Sequence, residues 1–139
     1  MGIERTLAII KPDAVEARHV GDIIKIFEAN QFEIVAARLV NLSKQEAEAF
    51  YAVHRVKPFF GSLTRFISSG PALVMVLEGE DIIARLREVM GATNPDHAAP
   101  GTIRKLYATN IERNAVHGSD ALDTAAFEIA YFFPGIELV

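Results

Sequence analysis

Arg5-Thr6-Leu7-Ala8-Ile9-Ile10-Lys11-Pro12 is the stretch from which the fold can be read. Its apolar, partly β-branched run predicts a strand over 5–10. Pro12 ends that strand, because proline lacks a ladder donor and restricts the residue before it. Lys11 is thereby left at the strand's end. Beyond Pro12 the pattern changes period: the apolar residues Val20, Ile23, Ile24 and Phe27 stand at helical spacing and predict a helix over 20–29 with Asn30 as a left-handed stop.

Further along, the Ile, Val and Leu of 33–42 predict a strand covered in part on both faces. Ser43 and Glu46 make an S-x-x-E capping box that opens a helix running through Tyr51. Pro58 is expected to begin a short helix carrying Phe59, Leu63, Phe66 and Ile67, broken at Gly70-Pro71. The next strand is expected over 72–77, then a helix over 81–90 with Ile82, Ile83, Leu86 and Val89 inward and Arg85 and Arg87 on its polar face. Gly91 closes it. The stretch 92–114 has two prolines and little periodicity beyond one helical turn near 102–106, so it reads as a long ordered loop, a feature usually tied to function. Ser119 is expected to cap a last helix over 121–126, and 128–133 to supply the last strand.

The resulting order, β-α-β-α-α-β-α-loop-α-β, lacks regular βα repetition. It therefore favours an α+β sandwich of ferredoxin-like type, with helices packed on a mixed or antiparallel sheet of four strands. At 139 residues, with half of them apolar and no Ser/Gly-rich linker, the chain reads as one domain. It has no cysteine, which excludes disulfides and thiolate metal sites. A net charge of −4 without a Lys/Arg block argues against a nucleic-acid surface. The longest apolar run, 72–77, is far short of the roughly 20 residues of a membrane span. The apolar run at the start, 7–10, is too short for a secretory signal. The expectation is a soluble cytoplasmic protein in which Lys11, Arg87 and Arg104, distant in sequence, converge on folding.

The string Asn114-Ala115-Val116-His117-Gly118-Ser119-Asp120 carries most of the chemistry. A histidine before glycine is sterically open, and Ser119 and Asp120 offer polar partners. Read alone, the string also fits a surface-turn histidine followed by a helix-capping serine. It resembles the N-x-x-H-G-S-D active-site signature of the nucleoside diphosphate kinase family. Other segments resemble that family in register: Ile9-Ile10-Lys11-Pro12-Asp13-Ala14, then Tyr51 and His54 with Lys57-Pro58-Phe59-Phe60. So do Arg87 with Gly91-Ala92-Thr93-Asn94-Pro95, and Pro100-Gly101-Thr102-Ile103-Arg104.

The resemblance implies a ping-pong kinase. ATP or another NTP would phosphorylate His117, and an NDP would take the phosphate back, with low base specificity and dependence on Mg²⁺. A neutral imidazole keeps one lone pair for phosphorus, and the resemblance gives its other nitrogen the carboxylate of Glu128 as an orienting acceptor. It also implies Ser119 and Tyr51 beside the histidine, and Lys11 near phosphate and ribose. His54, Arg87, Thr93 and Arg104 would surround the phosphates, Phe59 would stack on the base with Leu63 nearby, and Asn114 would reach the sugar. Phe60 reads as core. No His/Asp/Glu cluster has metal-ligand spacing, so the nucleotide's own phosphates are expected to hold the Mg²⁺.

His19 and His97 fall on no motif and read as surface residues. Leu106 stands where the family usually has aspartate, which puts the loop's internal contacts in question. The resemblance implies a homo-oligomer, tetramer or hexamer. Two other classes fit less of the sequence. A regulatory nucleotide binder has no need of His117, Ser119 and Glu128 together, and an apolar assembly scaffold has no need of the cations.

Overall fold

In the computed structural model, which describes residues 2–135 and 138, the first strand β1 (Ile3–Ile10) is central. It pairs antiparallel with β3 (Ala72–Glu80) on one side and with β4 (Val116–Gly118) on the other. β2 (Glu33–Val40) pairs antiparallel with β3, which completes a four-stranded sheet in the order β2-β3-β1-β4. The expected ferredoxin-like antiparallel sandwich is the fold observed.

Alternation along β1 and β3 builds two cores, one on each face. Ala8, Ile10, Met75 and Leu77 meet Ile23 and Phe27 of α2 (Val20–Ala29) and Leu86 and Met90 of α5 (Ile82–Met90). Leu7, Ile9, Val74 and Val76 face the other way. There they meet Ala47 and Phe50 of α3 (Lys44–Phe50), Ile67 of α4 (Phe60–Ile67) and Phe132 of α7 (Leu122–Phe132). Both faces are thus covered, and the central strand is apolar on every residue from Leu7 to Ile10.

Local rules account for several boundaries. Ser43 Oγ accepts from the Glu46 amide at 3.0 Å and Glu46 Oε1 accepts from the Ser43 amide at 2.8 Å, the capping box read from the sequence. Pro12 ends β1 and also starts α1 (Pro12–Glu16), a helix absent from the expected order; its fixed φ and missing N–H suit a first helical position. The left-handed residue after α2 is Gln31 (φ 65°), not Asn30. Asn30 instead turns its side-chain amide back to the Ile26 carbonyl. Pro58 precedes α4 without belonging to it, and Phe59 is that helix's N-cap.

The largest correction is at the end of the chain. Residues 128–133 do not form the last strand, because 128–132 continue α7 without a break. Ala125, Ile129 and Phe132 recur at helical spacing on the face that packs against the sheet, and this pattern outweighs the strand propensity of the aromatic residues. The fourth strand is β4, only three residues long, and it carries His117 itself. Ser119 does not cap α7. Ala121 holds that position, with its amide donating to Thr124 Oγ1 at 2.9 Å.

The stretch between α5 and β4 is ordered as expected. It holds a 3-10 turn (Pro95–His97) and α6 (Ile103–Tyr107), whose N-cap Thr102 accepts from the Lys105 amide. Gly91 closes α5 at φ 88°, with Thr102 so near that a Cβ would lie 2.5 Å from its Oγ1. Leu106 is exposed on α6, while the adjacent Tyr107 stacks on His19 with ring centroids 4.4 Å apart. The loop is therefore anchored by Thr102 and Tyr107 rather than through position 106. His19 is only half-exposed as a result; His97 is exposed, as expected.

Candidate active site

β4 is short, but its register decides which way the histidine points. Val116 and Gly118 face α5, whereas His117, paired with Ile9, faces α3 and α7. Gly118 suits that packing: a Cβ there would lie 2.9 Å from Met90 Cε and 3.0 Å from Leu86 Cδ2, so these side-chain ends would have to shift. The close approach to α5, more than freedom around the histidine, explains the glycine.

On its own face His117 is mostly buried and meets the edges of Phe50 and Tyr51, with centroids at 5.7 and 6.3 Å. Its Nε2 lies 2.8 Å from Glu128 Oε1, and Ser119 Oγ donates to the same oxygen at 2.8 Å. Ser119 in turn accepts from the Leu7 amide at 3.2 Å. A backbone amide thus orients a hydroxyl, the hydroxyl orients a carboxylate, and the carboxylate orients the ring. A carboxylate only accepts, so Nε2 carries the proton and Nδ1 keeps the lone pair. Glu128 reaches the ring from helix α7, not from a strand, and does so because α7 packs across β1.

The cations converge through contacts with the residues around His117. Arg104, 8% exposed, donates from Nη2 to the Val116 carbonyl at 2.9 Å and from Nη1 to the Gly91 carbonyl at 3.0 Å. Its Nε is buried without a partner among the described residues. Burial, with Arg87 nearby, lowers the guanidinium to about 10. Lys11, 6% exposed, donates from Nζ to Asn114 Oδ1 at 2.9 Å. Burial above all, then repulsion from Arg104, pulls its ammonium down to about 8 against the opposing pull of Asp13 and Glu112. Arg87 is more exposed and pairs with Asp120 at 2.8 Å. Lys11 and Arg104 are thus cations held where water is scarce, a setting that favours an anionic ligand.

Two hollows adjoin at Thr93. One is lined by Arg87, Gly91, Thr93, Thr102 and Arg104. The other, about 330 Å³, is lined by Lys11, Phe59, Leu63, Thr93, Ile111 and Asn114, with Glu112 at its rim. Phe59 is 48% exposed there, whereas Phe60 is half-buried against the core, where it was expected. Rings lead from His117 through Tyr51 and His54 to Phe59, each centroid 5.7–6.3 Å from the next. The Tyr51 hydroxyl is buried with no partner among the described residues, and burial raises its ionisation well above the usual tyrosine range. The residues expected at the site are joined by these contacts or line these two hollows. Residues that sequence reading did not assign also lie here, among them Ile111 and Glu112, in a loop without periodicity, Glu88 and His97 beside the first hollow, and Asp120, whose partner Arg87 is 33 residues away.

Comparison with known proteins identifies the family. A family model described as nucleoside diphosphate kinase matches residues 4–138. The nucleoside diphosphate kinase of Anaeromyxobacter dehalogenans is 57% identical over 138 residues, covering 99% of this chain and 94% of its own. That of Desulfosudis oleivorans is 57% identical over 137 residues, covering 99% of each. The crystal structure of the Aquifex aeolicus nucleoside diphosphate kinase superposes with a TM-score of 0.98 at 43% identity, over 99% of this chain and 100% of that one. The halophilic enzyme of Halobacterium salinarum, solved in complex with CDP, gives 0.95 at 41% identity over 99% and 92%. These likenesses define a nucleotide-binding transferase. The chain belongs to the nucleoside diphosphate kinase family, and it is an enzyme of that kind, a phosphotransferase.

Proposed function

We propose that the enzyme works by a ping-pong exchange through phosphorylated His117, with little discrimination among bases. The observation that carries this reading is the 2.8 Å contact between His117 Nε2 and Glu128 Oε1, which leaves Nδ1 as the nucleophile. In the first half-reaction the Nδ1 lone pair forms a bond to the γ-phosphorus of an NTP. The bond from phosphorus to the bridging oxygen breaks, and its electron pair leaves with the NDP. The second half-reaction reverses these steps with a different NDP. One phosphoanhydride is lost and an equivalent one made, so the exchange is nearly isoergic.

The ring gains positive charge as the N–P bond forms, and Glu128 offsets it without taking the proton, as the carboxylate does in a Ser-His-Asp triad. Ser119 keeps that carboxylate in place. Lys11, Arg87 and Arg104 absorb charge on the transferring oxygens, with Thr93 and His54 as further donors and the Tyr51 hydroxyl beside the ring. Asn114 reaches the sugar. Phe59 stacks on the base, with Leu63 beside it, and a stack accepts any base because every base has a π-face.

Mg²⁺ fits as a companion of the nucleotide rather than of the protein. The hollow presents two guanidiniums, Arg87 and Arg104, against one carboxylate, Glu88, while Asp120 beside it is engaged with Arg87. When bound on the phosphates the ion supplies charge neutralisation. The reading includes action in the cytoplasm as a homo-oligomer, tetramer or hexamer, without a nucleic-acid or membrane partner; among the described residues no helix is long and apolar enough to cross a membrane.

The test is incubation with γ-labelled ATP and Mg²⁺. The expected product is an acid-labile, alkali-stable label on the protein that His117→Ala abolishes. Transfer to dTDP without any such label would refute the covalent intermediate.

A further inference from the structure

Immediately before the strand that carries His117, the backbone takes an unusual path. Ala115 is fully buried and has φ 74°, a left-handed value that a Cβ-bearing residue rarely adopts. The Val116 amide donates to the Asn114 carbonyl at 2.8 Å, closing a three-residue turn centred on Ala115. A γ-turn of this hand is rare and strained, and such strain persists only where the surroundings impose it.

Both peptide groups of Ala115 are held by one short segment at the end of β1. The Lys11 amide donates to the Ala115 carbonyl at 2.8 Å, and the Ala115 amide donates to Asp13 Oδ2 at 3.1 Å. Asp13 follows Pro12 in the first turn of α1, so its carboxylate is presented by a rigid start. Its other oxygen, Oδ1, is buried with no partner among the described residues. The carboxyl's hydrogen bond to another segment of the chain is thus made through Oδ2, to Ala115. Burial raises its ionisation above the usual aspartate range, while the Ala115 amide, Lys11 and the backbone amides of Ala14 and Asp13 itself pull it back down.

The turn serves both sides of the site. Upstream, Asn114 accepts from Lys11 Nζ and donates from Nδ2 to the Ile111 carbonyl at 3.1 Å, at the edge of the nucleotide cleft. Downstream, Val116 pairs with Ile10 and His117 with Ile9. An ordinary extended residue at 115 would shift Asn114 relative to His117, and a one-residue slip in β4 would turn the imidazole to the opposite face.

We infer that Asp13 is a positioning residue for the transfer reaction: its carboxylate imposes the left-handed turn at Ala115 that sets Asn114 and His117 on one face. Asp13 lines neither of the two hollows. The inference rests on the reading of His117 as the phosphorylated residue.

The mechanism makes a prediction that loss of fold does not. If Asp13 acts by holding strain at Ala115, a glycine at 115, which reaches φ > 0 at no steric cost, should make the carboxylate dispensable. The measurement is ATP-to-dTDP transfer by Asp13→Ala, Ala115→Gly and the double variant, with kcat and KM separated and each melting curve recorded. We expect kcat of Asp13→Ala to fall on the order of 100-fold, as for roughly an ångström of misplacement. Ala115→Gly should stay within a few-fold of wild type, and the double variant should recover about tenfold or more over Asp13→Ala. Asp13→Asn, whose amide oxygen can accept the same bond, should retain most activity. If Asp13→Ala folds only in the glycine background, that too supports the inference. Single and double variants equally impaired, or equally unfolded, would overturn it, as would Asp13→Ala with wild-type kcat. Failure of the His117 reading looks different: wild-type protein would then turn over without acquiring label.

Discussion

Lys11 shows how one side chain can be both strained and useful. Its ammonium is buried beside Arg104 and titrates at about 8 instead of 10.5. A group that loses charge just above physiological pH should be visible in the capture of anionic nucleotide. Since kcat/KM reports ionisations of the free enzyme, it should decline above about pH 8, approaching tenfold per unit. Bound phosphates favour the charged amine, so kcat should hold level to higher pH. Lys11→Met should lower kcat/KM overall and remove that limb of the profile. A profile for the unmodified enzyme that stays flat to about pH 9.5 would show that Lys11 does not meet the phosphates.

At the scale of elements, the site depends on how closely β4 approaches α5. Gly118 meets Leu86 and Met90 at distances that leave no room for a methyl group. Gly118→Ala should therefore destabilise the protein by about 1–3 kcal/mol through overpacking, read as a lower urea midpoint with an unchanged slope. Flexible side-chain ends form the obstacle, which keeps the expected cost moderate. An unchanged midpoint would mean that Leu86 and Met90 yield freely. Most elements were legible from periodicity and caps: α2 matches its expected span, and the capping box at Ser43 formed as read. Apart from the short α1 that Pro12 starts, the exceptions share a physical cause. β4 is three residues whose strand character comes only from pairing with β1, and α7 contains strand-favouring aromatics held helical by packing across the sheet.

For the molecule as a whole, the same Lys11 shift has a stability consequence of definite sign. The folded chain releases that proton near pH 8 and the unfolded chain only near 10.5, so between these values the unfolded state binds more protons. Stability should rise with pH across that window, by at most about 3 kcal/mol. Tyr51 acts in the opposite sense: burial keeps it protonated in the fold, so above about pH 10 its contribution is lost as unfolded tyrosine ionises. Urea titrations should show the wild type gaining stability from about pH 8 to about 9.5 and Lys11→Met gaining less. Equal pH dependence in the two would remove the burial penalty assigned to Lys11.

The amino-acid order alone determined the α+β class, three of the four strands, and the residue types at the site, because periodicity, caps and short motifs are local properties written in consecutive residues. Only the tertiary structure decided that Glu128 arrives on a helix, that His117 lies on a strand, that Arg87 meets Asp120, and that Asp13 holds Ala115. Each of these joins groups whose separation in space depends on how layers pack, and that is a property no single segment contains.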